Sequence, residues 1–129
     1  MLIEASALTT CAVIKDGDKI SLGLMDQAGR AVEVDVSPPD ASAIAMTIPR
    51  LLRAWLREKY QDPSLRHTFP LDTWHIEAES GGSQVIITLA TGQGFEVSFR
   101  TAPETCRSLS SALKETTSQK VLSSMPLAN

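Results

Sequence analysis

Three groups of residues carry side chains at spacings that could do chemistry. His75, Glu77 and Glu79 stand at i, i+2 and i+4, the interval at which side chains share one face of a β-strand. An imidazole with two carboxylates is a donor set for a divalent metal or for acid–base work, and Glu96, two strands further on, is expected on the same face. The plainer reading is the charged outer face of a half-buried strand. The first half of the chain has no second copy of the set, because Thr10, Ala12 and Ile14 take the corresponding places.

The second group is Arg50, Arg53, Arg57 and Lys59, opposed locally only by Glu58, with Trp55 and Tyr60 nearby. Guanidinium forks spaced three and four apart on a helix can meet phosphates or carboxylates along one face. Arg50, Arg53, Arg57, Lys59 and Trp55 therefore form the ligand-binding set read from the sequence, weighed against an ordinary solvated helix face. The third group is the thiol pair Cys11 and Cys106. A nucleophilic thiol needs a lowered pKa and access, and nothing in the sequence places an activating cation or histidine against either, so both read as small buried hydrophobes.

Other reactive residues lack a setting. His67, between Arg66 and Thr68, lies in a linker. Gly92-Gln93-Gly94 falls in a hairpin turn rather than between a strand and a helix, which a dinucleotide loop requires. The serines occur without a G-x-S-x-G context. No catalytic residue and no cofactor is assigned, and the reading leans away from an enzyme.

These residues are positioned by a repeating grammar. Ala7–Ile14 is mostly β-compatible, and Ile20–Met25 and Val32–Val36 alternate, the three separated by turns at Asp16-Gly17-Asp18 and Asp26-Gln27-Ala28-Gly29. That pattern predicts an antiparallel meander. Ser37-Pro38-Pro39-Asp40 is a helix start, followed by a stripe of Ala41, Ile44, Ala45 and Ile48. Pro49 predicts a kink or a restart, with Thr47 capping a second helical segment to Tyr60. The grammar returns in Trp74–Ala78, Val85–Ala90 and Phe95–Arg100, then a helix with Cys106, Leu109 and Leu113, its start bracketed by Thr101 and Glu104.

An offset of 65 superposes Gly17 on Gly82, Gly29 on Gly94 and Pro38 on Pro103, although the two stretches share only five identities. These matches sit where backbone geometry restricts residue choice. The expected fold is α+β, an internal duplication of βββα units forming mainly antiparallel sheet with helices packed on one face. The first repeat spans about 7–60, a linker 61–72, the second repeat about 73–117 and a tail 118–129. Val121, Leu122, Met125 and Leu127 of that tail are candidates for docking. Val85–Ala90 is apolar on both faces, which predicts a cover from the basic helix, the tail or a second subunit.

Composition bounds the function. With 43% hydrophobic residues, 21% charged and only 5% aromatic, the chain resembles an ordinary globular domain whose core must be aliphatic. A net charge of −3 argues against general nucleic-acid or anionic-membrane binding. No apolar run is long enough for a membrane helix, the first residues do not read as a secretory signal, and two cysteines suit a reducing cytoplasm. The sequence thus predicts a small non-enzymatic protein acting through protein–protein contacts, as a homodimer or with another protein. The second reading is a regulator holding an anionic ligand or nucleic acid on the 50–59 helix. The third is a metal-dependent enzyme using His75, Glu77 and Glu79.

Overall fold

The computed structural model describes residues 1–14 and 16–124, excepting the side chains of 120–124. Lys15, at the first turn, and Met125 and Leu127 of the tail lie outside the described residues, as do the side chains of Val121 and Leu122. The fold is α+β. The order is β1 (Ala5–Ile14), β2 (Lys19–Asp26), β3 (Ala31–Val36), α1 (Pro38–Tyr60), β4 (Thr73–Ala78), β5 (Val85–Ala90), β6 (Glu96–Thr101) and α2 (Pro103–Ser124). The strands form two antiparallel three-stranded sheets, β1-β2-β3 and β4-β5-β6. The chain divides into two compact units, Met1–His67 and Thr68–Asn129.

In the first unit, alternation sorts the side chains cleanly. Cys11 pairs with Leu22 and Leu22 with Val34; Val13 pairs with Ile20 and Ile20 with Val36. Leu8, Leu24 and Val32 complete a grid of apolar residues on one face. β1 departs from regular pairing between Leu8 and Thr10, where an extra residue enters the strand. That irregularity sets Thr9 and Thr10 against Gly23, so any β-carbon at position 23 would collide with the Thr10 hydroxyl. Asp26 is the one buried residue among those described. Its Oδ1 accepts from the Ala28 and Arg30 amides at 3.0 and 2.8 Å, and its Oδ2 from Arg30 Nε at 2.9 Å, which ties the β2–β3 turn.

α1 begins at Pro38, with the Ser37 hydroxyl accepting from the Asp40 amide at 3.2 Å. It then runs without a break through Pro49 to Tyr60. The expected restart at Pro49 does not occur, and Thr47 is no cap: its hydroxyl donates back to the Ala43 carbonyl at 2.7 Å, as a residue inside a helix does. One absent amide donor is a local loss, and the turns on either side carry the helix across it. Gln61, in the left-handed conformation at φ 51°, terminates α1.

The second unit repeats the pairings of the first at the same offset. Ile87 pairs with Ile76 and Phe99, and Leu89 with Val97, at the positions of Leu22 with Cys11 and Val34 and of Leu24 with Val32. Gly29 and Gly94 both take positive φ, 84° and 87°, which an unbranched backbone without a β-carbon accepts freely. The turn bond Asp26 N–H to Arg30 carbonyl at 2.9 Å has its counterpart from Thr91 to Phe95 at 3.0 Å. α2 starts at Pro103 and extends to Ser124, through the stretch expected to be tail. Position 102, where a capping side chain belongs, is alanine. Thr101 is instead the last residue of β6, so the expected second capping box is not formed around it.

Candidate functional site

The second unit holds a concavity lined mainly by apolar residues. Trp74 and Ile76 of β4 and Ile87 and Leu89 of β5 line one wall, and Leu109 and Leu113 of α2 line the other. The groove between them has a volume of about 790 Å³. The apolar stripe of α2 faces the sheet across this open space, with Trp74 66% exposed and Leu113 59% exposed. Phe69 and Phe95, at the turn end of the sheet, have ring centroids 5.2 Å apart.

The opposite face of the same sheet is polar. Thr73, His75 and Glu77 of β4 share it with Thr88 of β5 and Glu96 and Ser98 of β6, as alternation predicts. The Thr88 and Ser98 hydroxyls are 2.7 Å apart. Ile86 stands on this face between Glu77 and Arg100. β5 is half-buried along its whole length as the central strand of the three.

The proposed metal set does not assemble here. His75 Nε2 lies 3.9 Å from Glu77 Oε2. Glu79 is held by Arg100 instead, with Nε and Nη2 at 3.0 and 2.9 Å from its Oε1. Among the described residues no three His, Cys, Asp or Glu side chains gather at ligand spacing.

In the first unit the apolar grid is equally open. Val13 is 75% exposed and Cys11 is exposed. Ile44, Ile48, Leu51 and Trp55 form one stripe along α1, and all four are exposed. α1 approaches its sheet along β2.

The basic residues of α1 divide between two faces. Helical spacing sets Arg50, Arg53 and Arg57 opposite the apolar stripe and sets Lys59 within it. Lys59 Nζ lies 5.1 Å from the Trp55 ring centroid and 5.5 Å from that of Tyr60, so its charge is engaged by aromatic faces. Arg57 is half-buried, its Nε donating to the Leu65 carbonyl at 2.9 Å. Loss of hydration, then the nearby Arg66 and Arg53, lower the Arg57 guanidinium below its ordinary value, and Asp62 partly opposes them.

The residue missed from sequence is Arg66. Its Nη1 donates to the Ser64 and Leu65 carbonyls at 3.0 and 3.3 Å, beside Arg57 on a loop whose sequence carries no helical spacing. Between them the Asp62 carboxylate accepts from the Ser64 amide at 2.9 Å and its hydroxyl at 2.6 Å. The Ser64 hydroxyl and amide, in that order, hold the Asp62 carboxyl below its ordinary range. His67 is exposed.

Among the described residues no helix is long and apolar enough to cross a membrane. Comparison of the chain with protein-family models, with curated proteins and with solved structures gives no match.

Proposed function

We propose that this protein is a non-enzymatic, cytoplasmic homodimer that acts through protein–protein contacts, and that its open apolar faces are the surfaces that assemble. One observation carries the reading: no apolar residue among those described is buried, and both sheets present apolar grids to solvent. The accessible surface of the chain is 10,621 Å². A compact monomer of 13.9 kDa would expose about 6,700 Å². Two separately compact halves of the chain would together expose only about 8,000 Å². The surplus, roughly 2,500 Å² or more per chain, matches what each subunit of an obligate dimer contributes. Without such cover the conformational entropy lost on ordering would have little burial to offset it.

A second copy is the favoured cover because the two units carry the same kind of face. A two-fold axis brings like surfaces together, and grids of aliphatic residues without charge are self-complementary. The matching registers at one offset support the further proposal that the two βββα units arose by duplication. In the assembled protein each helix would close onto an apolar sheet face.

Size-exclusion chromatography with light scattering tests the reading. A particle of twice the chain mass or more is expected down to micromolar concentration. A monodisperse monomer that unfolds cooperatively at that concentration would end it.

A further inference from the structure

We propose that Arg53, Arg57 and Arg66 form a binding site for a single phosphoryl group carried by a small ligand. Arg53 and Arg57 stand one turn apart on the α1 face away from the apolar stripe. The Arg57 and Arg66 guanidinium groups converge on one oxygen, the Leu65 carbonyl, at 2.9 and 3.3 Å, so the two forks stand side by side.

The loop that holds them is clamped. The Asp62 amide donates to the Arg57 carbonyl at 3.1 Å, the Gln61 side chain to the Glu58 carbonyl at 2.6 Å, and Asp62 accepts twice from Ser64. A ligand would therefore meet guanidinium groups already in position, which lowers the ordering cost of binding. None of the three arginines forms an ion pair with a carboxylate among the described residues. The Asp62 carboxylate answers only part of the gathered positive charge, and a dianion would answer the rest. Arginine forks match phosphate oxygens in pairs.

The ligand is small because the surroundings oppose a long polyanion. The Asp62 carboxylate stands beside Arg57 and the whole chain is acidic, at −3, so extended phosphate backbone meets repulsion next to the site. Lys59 and Trp55, on the other face of α1, take no part.

The test is a titration of the ¹⁵N-labelled full chain with inorganic phosphate at low ionic strength, following the arginine Nε–H signals. Saturable shifts at Arg57 and Arg66 are expected, with a dissociation constant of about 1 mM or tighter, and equal ionic strength of sodium chloride should leave them in place. Arg66→Gln should weaken binding roughly tenfold. Arg53→Gln, which removes an exposed side chain and none of the loop's hydrogen bonds, should do the same if Arg66→Gln disturbs folding. A phosphomonoester should reproduce the phosphate shifts. Absence of saturation, or unchanged binding in Arg53→Gln, overturns the proposal. It is also overturned if a single-stranded oligonucleotide shifts these signals at far lower concentration than a phosphomonoester, with steep salt dependence. The particle mass is read separately, so a monomer that binds phosphate ends only the self-assembly reading, and a dimer that ignores phosphate ends only this one.

Discussion

Each unit has its own three-stranded antiparallel sheet of the same strand order, and the two differ most in their helices. The registers of β2 with β3 and of β5 with β6 coincide at one offset, as do the turns at Gly29 and Gly94 and the proline that opens each helix. Beyond that point the two units differ. α1 carries a broad apolar stripe with Trp55, a basic opposite face and a basic last turn. α2 carries a narrow stripe of Cys106, Leu109 and Leu113, and no basic residue in its last turn. The two units reach matching strand pairing with few residues in common because both keep the two-residue period, and the outward faces of their helices differ in composition.

The comparison is broken most directly at the centres of the two grids. Leu22→Asp and Ile87→Asp each set a carboxylate in the middle of an apolar face, and on the proposed self-assembly each is expected to leave a monomer and cost at least ~3 kcal/mol. Light scattering and urea denaturation measure both effects, and a silent result at one site would mean that only the other face is covered. Next in size is the strand irregularity that only the first unit has. Gly23→Ala should destabilise by about 2 kcal/mol through its collision with Thr10. At the corresponding place Thr88→Ala should cost only ~1 kcal/mol, the bond to Ser98, and equal losses would deny the difference.

Helix entry gives a smaller and signed contrast. Ser37→Ala removes the cap on α1 and should cost ~1 kcal/mol. Ala102→Ser supplies a cap that α2 lacks and should raise the denaturation midpoint, by ~0.5 kcal/mol in stability. The smallest effect is at Asp62. Its folded carboxyl is held below the ordinary range by Ser64. The loop's stabilisation is therefore complete above the ordinary carboxyl value and is lost as pH falls through the depressed folded one. A carboxyl ¹³C titration should show that depression, and Ser64→Ala should remove most of it.

Much of the scaffold could be read without coordinates. Alternation, apolar runs and the turns between them located every strand to within a residue or two, and the positive φ of Gly29 and Gly94 follows from turns that ask for it. Pro38 and Ser37 announced α1. The apolar and polar faces of β4 followed from spacing alone. The site was less legible. Arg50, Arg53 and Arg57 were placed on one face by helical period. Lys59 is withdrawn by two aromatic rings, and Arg66 is recruited through a carbonyl in a loop. No periodicity encodes either event.

What the sequence determined by itself was local. Steric limits on φ and ψ, the two-residue period of a strand and the chemistry of turns act within a few residues, so they are written in short windows. Only the tertiary structure decided the rest: that α1 passes through Pro49, that Glu79 belongs to Arg100 rather than to a metal set, and that the apolar faces stand open. These depend on which distant groups meet, and on how much surface is left when they do. A pattern of apolar residues states that a face must be covered, and it is silent on what covers it.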